Sequence, residues 1–293
     1  MIGRTDFQVL MTAQFPPPTV LTPQRTQGTG RLSAKCRDGE HRLDRLYQAG
    51  AARLRLPRVA RSSPLEAVMI NTAGGLTGGD QMDWRFETGP GAHLSLTTQA
   101  CERIYRAQGE SRAHVSLRLA LGENSSLAWL PQETILFDRA RLDRSIEVDM
   151  AANARLLMVE PVVFGRVAMQ EIVTTGLFRD QWRIRHNGRL LHAEAARLGP
   201  DIANTLDCAA STGGGLAVAT VVMVAPEAEA RLDAARQIIG RSGGASYLSP
   251  GAAGSGKLLA RLVTSDSYAL RKVLGPLIRL LNPDGGLPKV WTT

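Results

Sequence analysis

Runs in which apolar and polar residues alternate one by one recur along the middle of the chain, and no helix-like period separates them. Residues 93–97 (His-Leu-Ser-Leu-Thr), 115–121 (Val-Ser-Leu-Arg-Leu-Ala-Leu) and 145–150 (Ser-Ile-Glu-Val-Asp-Met) carry this period of two. Successive side chains of a strand point to opposite faces, so each run fits a strand with one buried face. Gly89-Pro90-Gly91, the Gly-Glu-Asn of residues 122–124 and Asn153 punctuate the spaces between them. The clearest hairpin covers residues 182–193, where Asn187-Gly188 supplies the two positive φ angles of a type I′ turn. Strands at this spacing predict an antiparallel, all-β construction rather than βαβ units.

Helical signals come late. Pro226-Glu227 opens the first predicted helix, with Ala228, Leu232, Ala235 and Ile239 on one face and Gly240 at its end. The second starts near Asp266, carries Leu270, Leu274, Leu277 and Leu281 as its stripe, contains Pro276, and stops at Asn282-Pro283. The expected fold is therefore mainly β, a large multi-stranded sheet arrangement with two C-terminal helices. At the other end, Pro16-Pro17-Pro18 and the Thr, Gln and Pro that follow predict a flexible tail over residues 1–27. Residues 28–293 then form one β-rich domain, with 44% hydrophobic residues to build its core.

Charge and cysteine content narrow the function. Residues 1–61 hold eleven Lys/Arg and four acids, so nearly all of the formal +8 sits there. One function class this suggests is a nucleic-acid-binding module built on that basic segment. The bases are nearly all Arg, which also serves protein interfaces, and no aromatic residues are interleaved as a stacking platform needs. Three unpaired, widely spaced cysteines (Cys36, Cys101, Cys208) argue against a disulfide framework or zinc knuckle. No secretory h-region is visible near the start, and the longest apolar run, residues 216–225, is too short to span a bilayer. Cytoplasmic residence without membrane association is the expectation.

Motifs of catalysis are weak. Residues 251–257 match the spacing of a phosphate loop up to Lys257, but Leu258 stands where a hydroxyl should hold magnesium. None of the five histidines has metal-cage spacing, although His186 and His192 flank one hairpin and would meet across it. No nucleophile elbow is present. The carboxylates Glu133, Asp138, Glu160 and Glu171 lie amid apolar runs, where burial demands a partner such as Arg139, Arg141 or Arg166. Spaced carboxylates along a partly wet interior would also pass a divalent cation.

Five segments, in order, carry a resemblance. They are residues 71–80 (Asn-Thr-Ala-Gly-Gly-Leu-Thr-Gly-Gly-Asp), 97–106 (Thr-Thr-Gln-Ala-Cys-Glu-Arg-Ile-Tyr-Arg), 130–138 (Leu-Pro-Gln-Glu-Thr-Ile-Leu-Phe-Asp), 164–169 (Phe-Gly-Arg-Val-Ala-Met) and 287–292 (Leu-Pro-Lys-Val-Trp-Thr). From Gly28 onward the chain resembles the urease accessory protein UreD (UreH) family. It departs at Arg139 and Gln170, where the family favours Gly, so the chain after Phe137-Asp138 is expected to turn differently. It departs also at Cys101 and Glu102, which replace small residues, and at Arg103, which replaces Lys.

The resemblance implies a β-helix-like stack of sheets and a maturation factor without enzymatic activity of its own. Such a chaperone binds UreF, the GTPase UreG and urease apoprotein during nickel insertion and metallocenter assembly. It implies no tightly bound cofactor, only nickel (Ni2+) in transit. Candidate stations for that passage are Asp80, Glu133, Asp138, Glu160 and Glu171. Candidate partner-facing residues are Leu270, Leu274, Leu277, Leu281 and Trp291, with the leucines expected to form an exposed patch.

Overall fold

The computed structural model describes residues 24–60, 63–166, 169–249 and 256–292. The strands are β1 (Gln27–Arg37), β2 (Glu40–Gly50), β3 (Ala52–Arg55), β4 (Leu65–Asn71), β5 (Gln81–Thr88), β6 (His93–Thr98), β7 (Glu102–Ile104), β8 (Ala113–Leu121), β9 (Ser126–Trp129), β10 (Thr134–Leu136), β11 (Arg141–Met150), β12 (Arg155–Phe164), β13 (Leu177–His186), β14 (Arg189–Leu198), β15 (Ala217–Val224), β16 (Gly243–Leu248) and β17 (Lys257–Thr264). The helices are α1 (Ile202–Asp207), α2 (Leu232–Ile239) and α3 (Ser267–Leu281). Two sheets result, a first of order β14-β13-β11-β8-β5-β1-β2 and a second of order β16-β17-β15-β12-β9-β6-β4-β3, with β10 joining β12 and β7 joining β10.

The mainly β reading holds, but its antiparallel pairing does not. From β4 to β13 the long strands pass back and forth between the two sheets, so that neighbours in sequence do not pair as hairpins there. Within that stretch the chain returns to each sheet one coil later, running in the same direction. The pairs β5–β8, β8–β11, β11–β13, β4–β6, β6–β9 and β9–β12 are all parallel. Alternation sets the burial of one face; it does not reveal which strand lies alongside. The antiparallel hairpins sit at the margins, as in β1–β2 and β13–β14. The latter turns at Asn187 (φ 49°) and Gly188 (φ 74°), as the Asn-Gly pair predicts.

The inward residues of both sheets form one core, with Trp84, Phe86, Phe164 and Trp182 among its largest members. At Gly30 a Cβ would collide with the Trp84 ring, so the glycine makes room for the indole. A second core lies on the outer side of the second sheet, under α2 and α3. This double cover explains why β12 is buried at nine of its ten positions. Leu156, Met158 and Val162 meet the first sheet, while Leu157, Val159 and Val163 meet the helical layer.

The late helices form, with adjustments. Asp266 caps α3 by accepting from the Ala269 N–H at 2.8 Å, and Pro276 lies inside the helix. Residues 226–231 are successive turns, and α2 begins only at Leu232, because Ala228 is sunk in the core and Glu227 pairs with Arg155 at 3.1 Å. A third, short helix, α1, was not anticipated; Asp201 caps it. Of the predicted tail, residues 1–23 lie outside the described residues, and Gln27 already belongs to β1. Residues 250–255 of the phosphate-loop-like segment lie outside them too.

Leu270, Leu274, Leu277 and Leu281 are no more than 3% exposed. The expected exposed leucine patch is therefore absent: the stripe is the inner face of α3, packed on the second sheet. Trp291 is buried as well.

Candidate functional site

Segments far apart in the sequence meet at one end of the sandwich. Leu76, in the glycine-rich stretch 71–80, bridges to Ile104, and its backbone exchanges hydrogen bonds with Arg103 and Tyr105. β7 pairs with β10, and β10 with the last residues of β12. Just beyond β10, Phe137 stands between Tyr105, edge-on at 5.0 Å, and the guanidinium of Arg166, 4.2 Å above the ring. Glu171 closes on Arg166 at 2.7 Å.

The acids of this end hold loops together. Asp80 is buried, and its carboxylate accepts from the backbone N–H groups of Thr26 and Thr77 at 2.8 and 2.7 Å. Asp138 accepts from the Thr174 N–H and hydroxyl and from the Thr175 N–H, at 2.8, 2.9 and 3.1 Å. Burial opposes its charge, but the amides of Thr175 and Thr174 outweigh that and hold the carboxyl below its ordinary range. Glu171 also accepts from the Asp138 N–H at 3.4 Å. Glu102 is different: burial pushes its carboxyl up to about 7, against hydrogen bonds from the Asn71 side chain at 3.0 Å and from the Arg103 backbone.

A second polar group locks the C-terminal layer. Glu133 is 1% exposed and takes a two-pronged bond from Arg271 of α3, at 2.6 and 2.7 Å. Arg271 also donates to the Gln132 Oε1 at 2.6 Å and lies 5.5 Å from the Trp291 ring centre. Trp291 in turn donates from Nε1 to the Leu130 carbonyl at 3.0 Å. Cys101 donates its thiol to Glu133 at 3.2 Å; burial and that carboxylate push its pKa up to about 11, so it stays protonated.

The third group lies between the sheets. Arg144 of β11 is buried and donates to Asp180 of β13 at 2.9 and 2.6 Å and to Glu160 of β12 at 2.5 Å. Trp129 Nε1 donates to the other oxygen of Glu160. One cation shared by two carboxylates leaves an excess negative charge in the core. Complete burial, with Asp180 nearby, therefore raises the Glu160 carboxyl even against Arg144. Beside this triad is a cavity of about 390 Å³, lined by Glu160, Asp180, Trp182, Glu194, Arg197 and Arg261 among others. Trp182 Nε1 is buried there without a hydrogen-bond partner among the described residues. Glu194 is held down at about 2 by its hydrogen bond from His192, helped by Arg261.

Other expectations fare unevenly. His186 and His192 are buried and do not meet: His186 pairs in register with Arg189 and contacts the Ala152 carbonyl, while His192 pairs with Ile184. In the basic first 61 residues, Lys35, Arg37, Arg42 and Arg45 make ion pairs with Asp44, Asp38, Glu40 and Asp44, which blunts the charge available to a polyanion.

Comparison with known proteins bears on this arrangement. A family model described as UreD urease accessory protein matches residues 26–292. The urease accessory protein UreD of Mesorhizobium japonicum is 52% identical over 279 residues, covering 95% of this chain and 97% of its own. Urease accessory protein UreD 1 of Brucella melitensis is 51% identical over 272 residues, covering 93% and 96%. The chain belongs to the UreD urease accessory protein family.

Arg139 and Gln170, the two positions where the resemblance leads one to expect glycine, share one backbone feature. Arg139 (φ 61°) and Gln170 (φ 54°) both sit in the left-handed region that glycine enters freely. After Asp138 the chain thus adopts, at Arg139, a conformation that suits glycine. The five expected nickel stations are not assembled into one site. Asp138 and Glu171 share the loop end, Asp80 braces the glycine-rich turn, Glu133 belongs to the C-terminal lock and Glu160 to the inter-sheet triad. Among the described residues, no group of three or more His, Cys, Asp or Glu is arranged to hold a metal ion. Arg144, Asp180, Glu194 and Arg271 escaped notice in the sequence. The signal was there for two of them: Arg144 and Asp180 occupy inward positions in the alternation of β11 and β13, where a charge needs a partner.

Proposed function

We propose that this chain is a urease maturation factor that acts as a scaffold. It holds UreF, and through it the GTPase UreG, against urease apoprotein in the cytoplasm while nickel is inserted, and it catalyses no reaction itself. One observation carries this reading: the segments around Leu76, Tyr105, Phe137 and Arg166, four of those that carry the resemblance, converge on a loop surface whose polar groups brace it. Such a construction suits recognition by another protein more than attack on a small substrate.

Nickel is cargo in this reading. The inter-sheet cavity, with Glu160, Asp180 and Glu194 along it, offers oxygen donors that suit a hydrated dication in passage. Asp80, Glu133, Asp138 and Glu171 then serve the route only by fixing the loops and the C-terminal layer. No membrane partner is needed; among the described residues no helix is long and apolar enough to cross a bilayer.

The test is deletion of this gene in its host, followed by measurement of urease activity and of nickel in the purified urease. Loss of both, with apoprotein still present and activity restored by the intact gene, is the expected result. Active, nickel-loaded urease in the deletion strain would overturn the proposal.

A further inference from the structure

We infer that Tyr105, Met169 and Ile172, bordered by Arg103 and Arg106, form a docking surface for an acidic protein surface that inserts around an apolar centre. This rests on the reading of the chain as a protein-binding scaffold and gives that scaffold an address.

The three apolar side chains are exposed by 36, 70 and 74%. Scattered exposed hydrophobics are ordinary, but these stand on loops joined through Phe137 and Arg166. Tyr, Met and Arg are the residues enriched at protein interfaces. The surface is also held in shape before any partner arrives. The Tyr105 hydroxyl donates to the Gly74 carbonyl at 3.1 Å, and Arg166 is fixed between Phe137 and Glu171. Less ordering is then left for association to accomplish.

Charge selects the occupant. Arg139 and Arg166 are matched by Asp138 and Glu171. Arg103 and Arg106 are exposed and have no ion-pair partner among the described residues, which leaves two positive charges over. A partner bearing carboxylates satisfies them. A second copy of the chain would bring the same surplus against itself across a twofold axis. Nucleic acid would use stacking rings, whereas Tyr105 is tied edge-on to Phe137, and the most exposed groups, Met169 and Ile172, are aliphatic.

The experiment uses the full chain, tagged, co-expressed in turn with UreF and with urease apoprotein. The variants are Met169→Glu with Ile172→Glu, Arg103→Glu with Arg106→Glu, the milder Met169→Ala with Ile172→Ala should the first pair misfold, and Tyr268→Glu on α3, which is 69% exposed. Expected is a loss of at least about tenfold in affinity for one of the two partners with the motif-end variants, the size of a hot-spot truncation. Thermal unfolding should stay unchanged, as should binding by Tyr268→Glu. Equal binding by wild type and motif-end variants overturns the inference, as does loss confined to Tyr268→Glu. Variants that keep both partners but lose self-association, or lose binding to a plain DNA duplex, overturn it in favour of those occupants. A wild-type chain that captures neither partner overturns the scaffold reading itself.

Discussion

Replacing Arg271 by Met should loosen the C-terminal layer by an amount that the surroundings of Glu133 determine. Met retains an apolar stem and removes the charge. Glu133, 1% exposed, then faces Cys101 and Gln132 with no cation. Breaking a buried pair from one side costs about 3–5 kcal/mol. Arg271 is 28% exposed, so water reaches the vacated end, and the lower figure, about 3 kcal/mol, is expected. At about 2–4 °C per kcal/mol for a chain of this order of size, the melting temperature should fall by about 6–12 °C. The double variant Glu133→Gln/Arg271→Met lacks the stranded charge. It should recover at least about 1.5 kcal/mol relative to the sum of the single changes.

The effect has a pH signature of known sign. Burial works against the Glu133 charge, but Arg271 prevails and holds the carboxyl below its ordinary 4.5. In the wild type its contribution is full above that value and fades as pH falls through the lower, folded-state value. In Arg271→Met, burial without a cation raises the same carboxyl instead, so protonation favours the folded form. The deficit of the variant must therefore shrink as pH falls from 7 towards 5. Thermal unfolding of the four proteins at both pH values, followed by circular dichroism, gives the comparison. Strictly additive single effects together with a deficit independent of pH would refute the argument and mean that Glu133 is solvated after the change.

Three further outcomes follow from the same kind of reasoning. Arg139→Gly and Gln170→Gly should each stabilise by about 0.5–1 kcal/mol in urea unfolding, because both relieve a left-handed side chain; destabilisation would show that their side chains contribute more than the backbone loses. Arg144→Met should cost about 3–5 kcal/mol, while Asp180→Asn, which leaves one cation with one carboxylate, should cost clearly less; equal losses would contradict the charge count. Glu194, held at about 2, contributes stability that is present above its unfolded value and lost as pH drops towards 2. Glu194→Gln should flatten the acid side of the stability curve, and an unchanged curve would remove that carboxyl from the account.

The sequence announced strands, turns and the two principal helices, because those depend on local periodicity and on residues such as Asn187-Gly188 and Asp266. It did not announce pairing. Period-two patterns at residues 93–97, 115–121 and 145–150 say which face is buried, and the same pattern serves hairpins and stacked coils alike. The α3 stripe was legible as apolar but its destination was not: an exposed patch was expected of it, and a second sheet face receives it instead. The site was legible as segments but not as a surface. Nothing local places Tyr105 against Phe137, or Arg166 over that same ring. The carboxylates illustrate the limit from the other side: Asp80, Glu133, Asp138 and Glu160 were recognisable as costly residues. Their partners, Thr77, Arg271, Thr174 and Arg144, lie 3, 138, 36 and 16 positions away.

The alternation of strands between two sheets has a consequence for how the chain is made. In the first sheet Gln81 lies beside His114, Asp143 pairs with His114 on one side and with Arg179 on the other. Each parallel partner thus leaves the ribosome about thirty residues after the last, within about 2–6 s at ordinary synthesis rates. A coil emerging from the ribosome finds its neighbour already in place as a template, and growth can proceed in one direction, layer upon layer, as in repeat proteins. Until α3 follows β17, much of the outer face of β12 and β15 stays uncovered. The helical cover over those strands comes from residues 267–281, which follow every strand of the sheet in the chain, so strand stacking precedes the closing of the second core.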